Sequence, residues 1–320
     1  MSEPLPRRRL GGDGPEVSLL GLGTNNLGFL IGLDEARPVI DAALDEGVTL
    51  FDTADVYGAG ESERLLGELL RGRRDEVVLL TKFGNTGKMP DAPDAPRGSP
   101  AYARWALDGS LRRLQVDHVD IWMNHRPDDE TPIAETVGAM AEAIRAGKAR
   151  YAAVSNVKVA HLEEAAAAAA AEGIPLVAVE NRYSVVSRRA DADIVPAAER
   201  HGLSLLPYYP LESGLLTGRY RRGETVPEDS RFAGRPDIWP AERWLDDEAF
   251  DRLEALEAVA AGAGASVLDL AIGGLAALPF IGSVIAGART PEQVRANAAA
   301  ARYTPDEATI AALASLPNAR

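Results

Sequence analysis

The chain has 320 residues, 46% of them hydrophobic, no cysteine, and a formal charge of −14 at pH 7. That is enough apolar material for a sizeable core, organised as one barrel or as two domains. The negative charge argues against nucleic acid as a partner, and the missing thiols exclude disulfides, a cysteine nucleophile and cysteine-held metal.

Met1 to Arg9 carries three arginines with no apolar segment behind them, so no secretory signal is expected and the chain reads as cytoplasmic. Leu10-Gly11-Gly12 and Val17-Ser18-Leu19 read as a short hairpin, an N-terminal unit over about residues 9–17. Leu19 to Thr24 makes a first strand. Asp34 to Glu46 makes a helix, with Ala36, Val39, Ile40, Ala43 and Leu44 on one side and Gly47 closing it.

From there strand and helix alternate. The periodicity predicts strands at Thr49 to Phe51, Val77 to Thr81, Val119 to Met123, Arg150 to Val154, Leu176 to Val179, Leu203 to Pro207 and Phe280 to Ile285. It predicts intervening helices at Glu61 to Arg71, Pro100 to Leu114, Pro132 to Ala146, Val159 to Glu172, Asp191 to Arg200 and Ser266 to Ala277. The seven consecutive alanines within Val159 to Glu172 read as strong helix propensity rather than as a disordered tract. Eight such units with right-handed crossovers close into a (β/α)8 TIM barrel, and no Ser/Gly/Pro-rich linker divides it, so residues 1–320 read as one domain.

Leu270 to Ala288 is uncharged, but its glycines and Pro279 suit a buried helix, a turn and a strand better than a membrane span. Two connections exceed what joining elements requires, residues 83–99 and 209–246. Both follow strands and are expected to enclose substrate at the rim. In the second, Trp239 and Trp244 either line an apolar pocket or anchor the loop. Asp247 to Ala263 reads as an extra helix and Pro305 to Leu316 as a C-terminal one.

Three apolar runs end in residues able to do chemistry. Asp52 follows Thr49-Leu50-Phe51, Lys82 follows Val77 to Thr81, and His125 follows Val119 to Asn124. Tyr57 comes five residues after Asp52. Singly, Asp52 reads as a turn cap, Tyr57 as a loop aromatic, Lys82 as a solvated lysine and His125 as a core histidine. Together they fall on the rim where an eight-stranded α/β barrel carries catalysis. The four histidines, at 118, 125, 161 and 201, form no HExxH-like pair, and no metal site is expected.

The runs FDTADVYG, TKFG at Thr81 to Gly84, NHRPD at Asn124 to Asp128 and GKARYAAVSN at Gly147 to Asn156 resemble the aldo-keto reductase family. The resemblance covers about Leu10 to Ala301, with four motifs in the family's order and spacing. It implies an NADPH-dependent oxidoreductase that reduces an aldehyde or ketone to an alcohol or runs the reverse oxidation. It gives Tyr57 as general acid, Lys82 as the partner that lowers its pKa, Asp52 as the residue pairing with Lys82, and His125 as a polariser of the carbonyl. The physical logic fits: a free tyrosine, at about 10, is a weak donor, an ammonium favours the phenolate, and a carboxylate holds that ammonium charged. Whether His125 donates as neutral imidazole or shares a proton with Tyr57 stays open.

No GxGxxG follows a strand, so a Rossmann cofactor site is unsupported. The resemblance implies instead a nicotinamide nucleotide across the rim, with Thr24 and Asn25 near the nicotinamide, Ser155 and Asn156 on its carboxamide and Tyr208 stacked on the ring. Leu211, Ser213, Gly214 and Leu215 match the pyrophosphate loop, and Arg219 and Arg231 match cationic positions near it. Gly287, Arg289, Gln293 and Asn297 lie at a helix start suited to anions, and Arg289 favours NADPH over NADH.

Some positions depart from the family. Where glutamine commonly faces the carboxamide, the chain has Glu180, whose charge if ionised would favour the oxidised ring, or else Asn181 takes the glutamine's role through a shift in register. Ala296 and Tyr209 replace an acid and a serine. A small carbonyl or alcohol is the expected partner, with neither nucleic acid nor membrane, and oligomeric state is open. Two competing readings are a non-catalytic, nicotinamide-sensing subunit, since relatives on this fold include potassium-channel β subunits, and a Schiff-base aldolase using Lys82.

Overall fold

A computed structural model of the chain describes residues 3–318 apart from Lys88, Asp229, residues 235–239 and the side chain of Arg231. In chain order the hairpin β1 (Arg7–Arg9) and β2 (Glu16–Ser18) is followed by β3 (Leu20–Gly23), α1 (Leu33–Asp45), β4 (Leu50–Asp52), α2 (Glu61–Leu69), β5 (Val78–Phe83) and α3 (Pro100–Leu114). Then come β6 (Val119–Asn124), α4 (Ile133–Arg145), β7 (Ala149–Ser155), α5 (Val159–Glu172), β8 (Leu176–Arg182), α6 (Ile194–Arg200) and β9 (Ser204–Tyr208). The C-terminal part holds α7 (Arg231–Gly234), α8 (Asp247–Ala263), α9 (Val267–Ala276), β10 (Val284–Gly287), α10 (Pro291–Arg302) and α11 (Glu307–Ala314).

Strands β3 to β10 form one parallel sheet in the order β10-β3-β4-β5-β6-β7-β8-β9, a nearly closed (β/α)8 barrel. Its ends meet where Leu205 N donates to Phe280 O at 2.8 Å and Gly282 N donates to Leu205 O at 2.9 Å. The strand expected at Phe280 to Ile285 is therefore two pieces: Phe280 to Gly282 lies against β9, and β10 pairs with β3. The switch falls at Gly282, where a Cβ would stand 2.4 Å from Leu10 Cδ2 and 2.7 Å from Ser204 Cβ. Only glycine lets the chain pass so close to the hairpin turn.

That hairpin is also shifted from its expected place. Its first strand ends at Arg9, one residue before the expected start, while Gly11, Gly12 and Gly14 make the turn, where Leu10 N donates to Pro15 O at 3.0 Å and Gly14 N donates to Leu10 O at 2.9 Å. The tight turn drives Leu10 into the bottom of the barrel, where it joins Leu50, Leu80, Ile121, Val177 and Leu206 in an apolar plug. A second, larger core lies between the strands and the helices, because strands covered on both faces must be apolar on both.

The helix expected over Asp191 to Arg200 is broken at Asp193, whose carboxylate accepts from Ile194 N at 2.7 Å and starts α6 afresh. Among the described residues no single helix is long and apolar enough to cross a membrane; α8 and α9 pass that test only as a pair bent by 84°. The uncharged stretch from Leu270 divides into α9, a turn and β10. Trp239 lies outside the described residues. Trp244 anchors its loop, edge-on to Tyr209 at 6.0 Å with the Arg182 guanidinium 5.1 Å over its ring.

Candidate active site

Parallel register brings the strand ends to one level: Gly23 beside Asp52, Phe83 beside Asn124, and Ser155 beside Glu180. After β4 the backbone keeps bonding to β5 through Thr53 N to Leu80 O and Asp55 N to Lys82 O. It then folds into a 3-10 turn at Tyr57–Gly60 with Gly58 at φ 57° and Ala59 at φ 55°. Gly58 suits that left-handed step, and a Cβ there would also come 3.0 Å from Gly28 O. The turn swings Tyr57 back over Lys82.

Lys82 is fully buried, in direct contact with Asp52 Oδ1. Its Nζ also donates to Thr53 O at 3.2 Å and to Tyr57 Oη at 3.3 Å. A second carboxylate completes the group: Glu180 Oε1 lies 3.6 Å from Nζ, and both carboxyls have only 4% of their side-chain surface exposed. Glu180 Oε2 has no hydrogen-bond partner.

One ammonium cannot keep two buried carboxylates ionised at ordinary pKa values. Burial first, then the Asp52 charge, pushes the Glu180 carboxyl up to about 8 despite Lys82. Burial raises Asp52 too, but Asp52 holds the close contact with Lys82, so the proton resides on Glu180. At pH 7 the neutral acid, which donates and accepts as an amide does, is therefore the favoured form of Glu180. Asn181 does not take its place: its Oδ1 accepts from Val157 N at 3.2 Å and its Nδ2 donates to Val157 O at 2.9 Å.

The balance at Tyr57 also differs from expectation. Burial raises its pKa, Lys82 lowers it, and Asp52 and Glu180 raise it again, leaving the phenol above its ordinary value. Lys82 loses some basicity to burial, but Asp52, Glu180 and Tyr57 more than restore it, and the ammonium stays charged. His125 is shifted far down by burial, Lys82 and Arg126, so it is neutral at pH 7. Its ring meets Tyr57 edge-on at 5.8 Å, and its Nε2 stands 3.2 Å from Asn85 Nδ2.

These residues floor a cavity of about 550 Å³ that runs from Tyr57, His125 and Glu180 past Tyr208 to Arg219 and Arg289. Asn25, Asn156, Leu211, Ser213, Gly214, Gly287, Gln293 and Asn297 also line it. Thr24, Ser155 and Leu215 sit one layer behind the wall. Thr24 Oγ1 is spent on Asp52 O at 2.8 Å and Ser62 Oγ at 2.9 Å, Ser155 Oγ accepts from Asn156 Nδ2 at 3.0 Å, and Leu215 is in the core. The side chain of Arg231 lies outside the described residues.

The far end suits an anion. Tyr209, Glu212, Ser213 and Gly214 all have positive φ, curling the chain into a cradle, and the buried Ser213 Oγ has no partner. The cradle is held by Glu212, which accepts from Ser184 Oγ at 2.7 Å and pairs with Arg182. Opposite it, α10 opens with Thr290 Oγ1 accepting from Gln293 N at 3.3 Å, and Gln293 Oε1 takes Arg289 N at 2.8 Å. Orphaned polar atoms at both ends, with arginines at the far one, fit an elongated phosphate-bearing cofactor.

Sequence reasoning missed Asn85 and Arg126, which also line the cavity. They follow β5 and β6 within two residues, the strand-end position that drew attention to Lys82 and His125.

The profile of the Aldo/keto reductase family matches residues 19–317. A protein from Oryza sativa subsp. japonica named "Probable voltage-gated potassium channel subunit beta" is 34% identical over 296 residues, 91% of this chain and 89% of that protein. One of the same name from Arabidopsis thaliana is 33% identical, covering 93% and 92%. "L-glyceraldehyde 3-phosphate reductase" from Escherichia coli (strain K12) is 32% identical over 300 residues, 91% and 86% of the two chains.

Proposed function

We propose that this chain, which belongs to the aldo/keto reductase family, is an NADPH-dependent reductase of an aldehyde or ketone. The observation that carries the reading is Tyr57 Oη lying 3.3 Å from the buried ammonium of Lys82, at the floor of a cavity whose far end carries Arg219 and Arg289.

A bound nicotinamide supplies the hydride; the protein's residues manage charge and protons. Tyr57 donates to the carbonyl oxygen as negative charge develops there. Lys82, kept charged by Asp52, stabilises the phenolate left behind. Neutral His125 offers the carbonyl a second polar contact without adding charge. Tyr208 would give the ring a face to stack on, Asn156 and Glu180 would meet its carboxamide, and Ser213, Arg219 and Arg289 would hold the phosphates.

Arg126 supports a substrate class. It is an exposed guanidinium on the cavity wall, close enough to add to the lowering of the His125 pKa that burial and Lys82 cause, and to oppose the rise that burial causes at Tyr208. A carbonyl compound bearing an anionic group suits that position, in keeping with the phosphate ester in the name of the Escherichia coli relative. The test is NADPH consumption with an aldehyde phosphate and a neutral aldehyde, in wild type, Tyr57→Phe and Arg126→Gln. Turnover lost in Tyr57→Phe, with KM raised in Arg126→Gln for the phosphate alone, supports both assignments. Equal turnover in Tyr57→Phe refutes the first, and equal KM values refute the second.

The plant relatives carry the name of a potassium channel subunit, which favours a second reading of this chain as a non-catalytic subunit whose cavity senses nicotinamide. Tight cofactor binding with no turnover across a broad carbonyl panel would support it.

A further inference from the structure

We infer that Glu180 is the proton reserve of this site, supplying through Lys82 the proton that Tyr57 gives to the substrate and ending the reaction as a carboxylate. The inference rests on the reductase reading above. It starts from a stoichiometric oddity: two carboxyls, each with only 4% of its side-chain surface exposed, share one ammonium, and the one farther from it has a buried oxygen with no partner. A buried carboxyl that shares its one ammonium with a closer carboxylate, and whose second oxygen has no partner, is a place to keep a proton.

The charges around Glu180 come from several elements. Asp52 at the end of β4 repels its ionised form and Lys82 on β5 attracts it. Tyr57 on the turn after β4 and Tyr208 at the end of β9 each feel its charge. Burial, reinforced by the Asp52 charge and opposed by Lys82, pushes the Glu180 carboxyl up to about 8 in the free protein. An added positive charge in the cavity shifts that balance towards the carboxylate.

Carbonyl reduction adds such a charge. A bound reduced nicotinamide would supply hydride to the carbonyl carbon and be left one unit more positive, while the C=O π pair would become the O–H bond made with the proton from Tyr57. The proton leaves Tyr57 Oη for the product oxygen. Lys82 Nζ, at 3.3 Å, restores it to Tyr57. Glu180, whose Oε1 lies 3.6 Å away, protonates the resulting Lys82 amine once the flexible side chain closes that gap by a few tenths of an ångström. Tyr57 and Lys82 finish as they began. Glu180 finishes one unit more negative, and the net charge of the buried site is unchanged, which avoids an uncompensated charge at low dielectric.

The same logic acts in equilibrium binding, where no substrate is needed. NADP+ and NADPH are titrated calorimetrically into wild type and Glu180→Gln at pH 7, in two buffers of different ionisation enthalpy, to count protons released. Wild type is expected to release close to one proton with NADP+ and none with NADPH. Its ratio Kd(NADP+)/Kd(NADPH) falls by up to about tenfold per pH unit between pH 6 and 8. In Glu180→Gln release is abolished and the ratio is flat. Turnover of Glu180→Gln loses its dependence on a group near pH 8 while Tyr57 still donates. No proton release in wild type, or equal release in Glu180→Gln, overturns the inference and leaves the reductase reading intact. If neither nucleotide binds wild type, the reductase reading itself falls and the inference with it.

Discussion

Tyr208 Oη donates a 2.6 Å hydrogen bond to Asn156 Oδ1, tying the end of β9 to the residue that follows β7. Asn156 has φ 56° and passes the link on, its Nδ2 donating to His125 O at 2.9 Å. One cavity wall is thus fixed to the strand end that carries His125. Removing the bond in Tyr208→Phe is expected to free the ring and raise the NADPH Kd about fivefold, the effect of roughly 1 kcal/mol. Quenching of nicotinamide fluorescence reads this directly, and an unchanged Kd means the ring is held by packing alone.

Tyr57→Phe keeps the ring and removes only the proton. Turnover is expected to drop by at least about a hundredfold with the cofactor Kd within about twofold. Retained turnover would assign the proton to another donor.

Asp55 is fully buried with neither carboxyl oxygen bonded, and burial, then the neighbouring Glu63, push its pKa up to about 7. The folded protein therefore binds this proton more tightly than the unfolded chain does. From about pH 4 to 7 the unfolded state releases it first, so stability falls as pH rises, and no penalty remains below pH 4 where both states are protonated. Asp55→Asn is expected to leave the urea midpoint little changed below about pH 4, and to raise it progressively above that, most at pH 8. A variant no more stable than wild type at pH 8 refutes this account.

Glu63 is fully buried, bonded to Arg113 Nε at 2.7 Å and to Thr81 Oγ1 at 2.5 Å. Arg113→Met strands that carboxylate and is expected to cost roughly 3–5 kcal/mol of unfolding free energy. Adding Glu63→Gln should recover much of it, a coupling that a double-mutant cycle measures.

Arg289 at the start of α10 lines the cavity's far end. Arg289→Leu is expected to raise the NADPH Kd about tenfold, near 1.4 kcal/mol, while NADH changes by less than about twofold. Equal losses for both nucleotides would place Arg289 on a phosphate they share.

Much of this molecule is legible in its sequence because the barrel repeats a simple pattern. Helices α3, α5 and α8 begin and end where Pro100, the alanine run and Asp246 with Gly264 dictate, since caps and propensity act locally. The gathering of Asp52, Lys82 and His125 at one rim follows from three apolar runs that each end in a polar residue. Longer-range facts were illegible. That Phe280 to Gly282 closes the barrel depends on a hairpin turn some 270 residues earlier in the chain. The protonation of Glu180 depends on Asp52 and Lys82 approaching from other strands, and a sum of opposing charges cannot be read from any one residue.

The stopper that Leu10 drives into the barrel has a kinetic corollary. With the bottom filled by Leu10, Leu50, Leu80 and Ile121, the described residues leave the floor at Tyr57 reachable only from the rim. Two molecules that met at Tyr57 would share one doorway, and whichever seats deeper would have to enter first and leave last. Product-inhibition patterns would disclose that queue, with one product competing against the leading ligand alone.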